Sequence, residues 1–205
     1  MDLVKSKSRV ANHGEVFTPR WLVDQMLDTV GRETVRIDAR FLEPACGSGN
    51  FLVPILERKL VVARKKYAKS EFELIHQALF ALMCVYGIEL LPDNVAECRS
   101  GLVAALMTHV KTRDPQLLER AAESVVGQNI VHGDALDMTT PEGKGILFPE
   151  WAYLGQGKFQ RRDFRFQTLS QMSSFDSDTL FANSGHEIFV PAVIHPPFSI
   201  EELAE

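Results

Sequence analysis

Three carboxylates stand where an apolar run ends, and one of them leads directly into a pair of glycines. Glu43 opens Glu43-Pro44-Ala45-Cys46-Gly47-Ser48-Gly49-Asn50-Phe51, Glu89 closes Met83-Cys84-Val85-Tyr86-Gly87-Ile88, and Asp134 closes Asn129-Ile130-Val131-His132-Gly133. A carboxylate is acceptor-only with two oxygens, so it suits the vicinal hydroxyls of a ribose or the amino group of a purine. Gly47 and Gly49 can take positive φ and let a ligand approach the main chain. A helix leaving the turn near Asn50 aims free N–H groups and its positive dipole end at a ligand's carboxylate. These residues describe a pocket for an adenosine carrier, with Glu89 on the ribose and Asp134 on the adenine. A dinucleotide fingerprint fits less well. It needs a third glycine where Leu52 stands and a ribose carboxylate about 20 residues on. A phosphate-binding loop fits least, because no G-K-[ST] occurs.

The elements that must position these groups alternate in type. A first helix is predicted from Pro19 to about Val30, capped by Thr18, with Trp21, Leu22, Met26 and Leu27 as its stripe. Ala39 to Glu43 reads as a strand, and Asn50 to Tyr67 as a helix that is apolar first and basic later. Ser70-Glu71-Phe72-Glu73 is a capping box that opens the next helix. Strands over 83–89 and 129–134 alternate with helices from Pro92 to about Val110 and from Pro115 to Val126, and Gly145 to Phe148 is a candidate fourth strand. This is the order of an α/β domain with a parallel sheet, whose ligands bind beyond the carboxyl ends of the strands. From Ala152 to Ser184 no periodicity is sustained, which predicts a long irregular stretch. Ile188 to Ile194 reads as an edge strand because Pro191 cannot donate to a ladder.

The ordered set Phe17-Thr18-Pro19, Glu43 to Leu52, Tyr86-Gly87-Ile88-Glu89 and Gly133-Asp134-Ala135-Leu136 resembles the adenine-specific DNA methyltransferases. Among these it is most similar to the modification subunits of type I restriction systems. The resemblance spans roughly residues 12 to 150. It implies a Rossmann-like fold with a mainly parallel sheet and helices on both faces, binding S-adenosylmethionine (SAM). Residues 1–150 would be the SAM-binding domain, with 1–16 as an N-terminal arm, and 151–205 an irregular C-terminal extension. It further implies that Phe17, Thr18 and Pro19 fold over the cofactor. Glu43, Pro44, Ala45, Cys46, Gly47, Ser48, Gly49, Asn50 and Phe51 would hold its methionine part, Glu89 and Leu90 its ribose, and Asp134, Ala135 and Leu136 its adenine. DNA would be the substrate in a restriction–modification setting. Sequence recognition would come from a partner specificity subunit, and a protein partner or a second copy of the chain is expected.

In that family the chemistry lies in [DN]-P-P-[YFW], where an oxygen and a proline-fixed carbonyl accept from the target amine while the aromatic stacks on the flipped base. This sequence departs from the pattern. Phe148-Pro149-Glu150-Trp151 lies at the expected distance, but Phe148 replaces the acidic or amide residue, leaving Pro149, Glu150 and Trp151 as the candidate corner. His195-Pro196-Pro197-Phe198 keeps the prolines and the aromatic, but a histidine stands first. A proline-terminated strand is the plainer reading of that second segment. A SAM-binding, catalytically impaired subunit and a methyltransferase acting on RNA or protein are therefore the alternatives.

Composition narrows the classes. The 205 residues are 45% hydrophobic, enough for a full core, and the net charge of -5 does not mark a chain that grips duplex DNA unaided. Basic residues cluster at Arg58, Lys59, Arg64, Lys65, Lys66 and Lys69, and again at Arg161, Arg162 and Arg165, each read as a solvated face. Three scattered cysteines form no disulfide framework and, with His13, His76, His109, His132 and His186, no metal-ligand spacing. No run approaches the roughly 20 apolar residues of a membrane span, and the start lacks a secretory h-region, so a cytoplasmic setting is expected.

Overall fold

Each carboxylate-bearing run forms a strand. In the computed structural model, which describes residues 4–167 and 190–205, β1 (Phe41–Glu43), β2 (Val85–Glu89) and β3 (Ile130–His132) make a parallel sheet in that order. The register sets Glu43 beside Gly87 and Glu89 beside His132. The central β2 is buried along its whole length, as befits a strand covered on both faces. Parallel neighbours need long crossovers. Here α4 (Leu52–Tyr67) and α5 (Glu71–Met83) join β1 to β2, and α6 (Pro92–His109) and α7 (Pro115–Asn129) join β2 to β3. The Ser70 hydroxyl accepts from the Glu73 N–H and the Asp114 carboxylate from the Leu117 N–H, while Pro92 and Pro115 sit in first turns where no donor is needed.

Before the sheet come α1 (Lys7–His13), α2 (Arg20–Thr29) and α3 (Gly31–Thr34). The predicted Thr18 cap is not formed. Pro19 is extended (ψ 146°) and precedes the first turn with no side-chain cap. The buried face of α2 is Val23 and Leu27, while Trp21 and Met26 are exposed.

The Rossmann-like, mainly parallel sheet is overturned. Among the described residues the chain is α/β with eight helices and two three-stranded sheets, one parallel and one antiparallel. The cause lies just after β3. One Asp134 carboxylate oxygen accepts from the Leu136 (2.7 Å) and Asp137 (3.2 Å) N–H groups, and Asp134 and Thr139 exchange both backbone hydrogen bonds. This tight turn carries the chain off the parallel sheet. The expected fourth strand is instead the start of β4 (Leu147–Gly155), antiparallel to β5 (Lys158–Arg165), which also pairs with β6 (Val193–Ile194).

The stretch after Trp151 is therefore not irregular as far as Arg165. Its two-residue turn, Gln156-Gly157, has φ of 51° and 75°, the positive pair that matches strand twist in a hairpin. Of the predicted edge strand only Val193–Ile194 pairs; Ile188, Phe189, His186 and residues 168–184 lie outside the described residues. The chain ends in α8 (Ile200–Leu203), opened by a capping box of Ser199 and Glu202.

One hydrophobic cluster joins both sheets, from Val23 and Leu52 to Trp151, Phe159 and Ile200. At the joint the buried Asn129 donates to the carbonyls of Met83 (3.1 Å) and Val85 (2.9 Å) and accepts from the Trp151 indole (2.8 Å). Phe148 stands edge-on to Tyr86, ring centroids 5.6 Å apart. Among the described residues no helix is long and apolar enough to cross a membrane.

Candidate functional site

The carboxyl ends of β1, β2 and β3 open into a cleft of about 550 Å³. The turn after β1 is laid against the sheet, where the Cys46 N–H donates to the Ile88 carbonyl (3.0 Å). Gly87 makes that approach possible, because a Cβ there would stand 2.8 Å from the Cys46 sulfur and 2.9 Å from Leu52 Cδ1. Gly47 and Gly49 have φ of 53° and 95°, where a side chain is strained.

Glu89 is the hinge of the arrangement. Its Oε2 accepts from the Gly47 N–H (2.8 Å), and its Oε1 accepts from the Leu91 N–H (2.9 Å) and the Asn94 amide (3.4 Å). One carboxylate thus ties the glycine turn, the end of β2 and the start of α6 together. Of roughly four acceptor positions, three are engaged, so one strong further hydrogen bond is open to a ligand rather than the pair expected for two ribose hydroxyls.

The N-terminal arm closes one side. Arg9 donates to both Glu15 oxygens (2.6 and 2.7 Å) and to Asp93 (2.6 Å), while Lys5 reaches Asp93, Asn94 and Glu97. The Asn94 amide also donates to Glu15 (2.6 Å). These hydrogen bonds, those from Arg9 foremost, hold the Glu15 carboxyl below its ordinary range and therefore ionised. The Phe17 ring lies over Gly47, with Cε1 3.4 Å from where a Cβ would be. Cys46 faces the cleft, but contact with Cys98 and burial push its thiol up, so it lines the wall as a neutral group.

The cleft gathers Phe17, Thr18, Glu43, Pro44, Ala45, Cys46, Gly47, Asn50, Phe51, Glu89, Leu90, Asp134, Ala135 and Leu136. Pro19, Ser48 and Gly49 do not line it; Gly49 packs inward, where a Cβ would stand 3.1 Å from the Cys98 sulfur. Sequence reasoning missed Glu15, Val16, Leu91 and Asn94. Glu15 carried a signal, an acid two residues before Phe17, whereas Asn94 becomes legible only once α6 is folded. Four carboxylates, Glu15, Glu43, Glu89 and Asp134, line the cleft, and among the described residues no lysine, arginine or histidine does.

Neither candidate catalytic corner reaches this cleft. Trp151 is a core residue, 1% exposed, and Pro149 is buried opposite Asp163. Glu150 pairs with Arg40 (2.8 Å) and Arg162. His195 meets Asp163 (3.0 Å). Phe198 exchanges backbone hydrogen bonds with Phe159 and stands edge-on to Trp151, and Pro196 and Pro197 are exposed beside it. No family model, curated protein or solved structure matches the chain.

Proposed function

We propose that the cleft binds SAM and that the chain is the SAM-dependent component of an adenine-specific DNA methyltransferase, with a partner supplying sequence recognition. The charge of the cleft carries this reading. Glu15 is paired with Arg9, but Glu43, Glu89 and Asp134 surround the glycine turn with no described basic side chain lining the cleft, which suits an adenosyl ligand bearing a sulfonium and an ammonium. A dinucleotide or nucleoside triphosphate would set its phosphates among carboxylates at several unfavourable contacts, each costing about 1–4 kcal/mol at surface dielectrics.

In this reading Glu89 accepts from the ribose while holding Gly47 in place. The Asp134 oxygen not used in its turn accepts from the adenine amine, and Leu90 and Leu136, 51% and 91% exposed, are apolar edges for the purine to cover. Glu43 faces the positive end of the ligand. When bound, SAM supplies a methyl group on a sulfonium, already electrophilic. The chain's own residues orient it and screen it behind the arm.

A second reading keeps SAM binding without methyl transfer by this chain alone. It is favoured by the placement of both corner segments in the antiparallel sheet, where Trp151 is too buried to stack on a base. Titration calorimetry tests the shared claim. SAM is expected to bind at least about tenfold, or ~1.4 kcal/mol, more tightly than NAD or ATP, and equal or weaker binding sinks it. Tritiated methyl transfer to unmethylated DNA, with and without neighbouring gene products, then divides the two readings.

A further inference from the structure

At the end of the helical layer away from the cleft lies a second concavity that the cofactor reading does not use. It is a groove of about 560 Å³ between the last turns of α4 and α6, with Val61, Ala68 and Leu74 as its apolar wall. Arg64, Lys65 and Lys111 line it with His109, and among the described residues no carboxylate does. Lys66 and Lys69 stand beside it on the chain, and all five cations are exposed. Among the described residues none of the five makes an ion pair, whereas Lys5, Arg9, Arg20, Arg36, Arg40, Arg58 and Lys158 are all paired. In a chain of net charge -5, three exposed cations without an ion pair thus line one groove, with two more beside it on the chain.

Helix-end electrostatics account for part of this. Cations in a last turn favour the negative end of the helix dipole, and Arg64, Lys65 and Lys66 sit in the last turn of α4. That does not bring Lys111 to the groove from another segment, nor clear the described lining of carboxylates. We infer that this groove is a docking surface for the phosphate backbone of a nucleic acid. Arginine and lysine over a shallow apolar wall, without a fixed arrangement of other donors, is the chemistry of backbone contact and not of base reading. The placement also answers a need of the cleft, which has no described basic side chain of its own to hold phosphates. Groove and cleft lie at opposite ends of α4, whose 16 residues span about 24 Å. A duplex lying along α4 and α6 would cover that distance in about seven base pairs at roughly 3.4 Å each.

The inference rests on the nucleic-acid part of the proposed function and is independent of SAM. Its test is fluorescence anisotropy of the full chain with a labelled 20-base-pair duplex across a salt series. The triple variant Arg64→Glu, Lys65→Glu, Lys111→Glu is compared with the control Arg32→Glu, Arg120→Glu, Lys144→Glu, which carries the same net charge. The groove variant is expected to lose about tenfold or more in affinity at 0.1 M salt. Its slope of log affinity against log salt should fall by roughly 2 to 3, near 0.9 per lost phosphate contact. Matching thermal unfolding of both variants checks the fold, and unchanged SAM calorimetry in the groove variant separates this surface from the cleft. Three results overturn the inference: no binding of duplex by the wild type, equal losses in the two triple variants, or displacement of the duplex by polyglutamate at equal charge concentration. The last would reassign the groove to an acidic protein partner. Each leaves the SAM result standing or falling separately.

Discussion

In the parallel sheet the charged groups stand at strand ends; in the antiparallel sheet they stand within or beside the strands and pair with one another. Glu43 and Glu89 end β1 and β2, and Asp134 follows β3 by one glycine. Glu150, by contrast, lies opposite Arg162 in the hairpin and pairs with it. Asp163, opposite Pro149, accepts instead from Arg161 two residues back on its own strand at 2.6 and 2.9 Å and from His195 just past β6 at 3.0 Å. A side chain inside a hairpin has same-face neighbours, across the ladder or two residues along its own strand, that can satisfy it. At the ends of the parallel strands the neighbours in register, Gly87 for Glu43 and His132 for Glu89, give these carboxylates no side-chain hydrogen bond, so their remaining acceptor capacity faces the cleft. The same residue types thus line an open cleft in one sheet and brace the other.

Trp151 is the sharpest place to break this contrast, since it was a catalytic candidate and stands in the bracing sheet. Trp151→Ala removes a residue 1% exposed and leaves the Asn129 carbonyl oxygen without its indole donor. A loss of about 3–5 kcal/mol is expected in urea unfolding, with SAM affinity of the still-folded protein within about twofold of wild type. Unfolding that barely shifts while methyl transfer disappears would return Trp151 to the reacting machinery and undo the contrast.

The sequence made the parallel half legible because its signals are local. Each strand there is an apolar run closed by a carboxylate, and α5, α6 and α7 each open on a cap or a proline that stands at the boundary itself. The hairpin was hidden for physical reasons. Its stability comes from cross-strand partners such as Phe148 with Phe164 and Trp151 with Arg161, which no window along the chain can see. Its turn, Gln-Gly, lacks the Asn or Asp that usually advertises two positive φ values. The extra residue at Leu154, where the register shifts between Tyr153 and Gly155, further blurs the period of two. Within the cleft, Asn94 was invisible because its role depends on a partner 79 positions away, Glu15.

The second largest effect concerns the parallel half and depends on pH. Lys59 is fully buried on α4, and its ammonium donates to the carbonyls of Ile37 (3.2 Å) and Ala39, holding the segment that enters β1. Burial lowers its pKa from 10.5 to about 8. The sign is the reverse of a stabilising ion pair. Below about pH 8 both folded and unfolded chains hold the proton, and the fold bears the full cost of the buried charge. Between about 8 and 10.5 only the unfolded chain holds it, so stability rises with pH, by roughly 3 kcal/mol for this group. Comparing Lys59→Met with wild type by urea unfolding at pH 7.5 and 10 isolates it, and the rise should be missing from the variant. Emission from the buried Trp151 should follow the same transition, since one core joins the two sheets. A separate transition for Trp151 would show that the halves unfold apart.

The smallest effect on stability belongs to the residue with the largest expected role in binding. Glu89→Ala deletes the acceptor shared by the Gly47 and Leu91 N–H groups, both at the mouth of a solvent-filled cleft where water can replace it. Unfolding should shift by about 1 kcal/mol or less, while SAM affinity falls by roughly 2 kcal/mol or about thirtyfold, the inverse of Trp151→Ala. Glu89→Gln decides whether acceptor chemistry or shape is responsible. Its single carbonyl oxygen can serve Gly47 or Leu91, and its amide then turns a donor toward the other N–H. If Glu89 works by holding both, the glutamine variant binds SAM about as poorly as the alanine variant despite its matching size. Near-normal binding by Glu89→Gln would mean that the side chain only fills space, and the strand-end carboxylate would lose its claim to be a binding group.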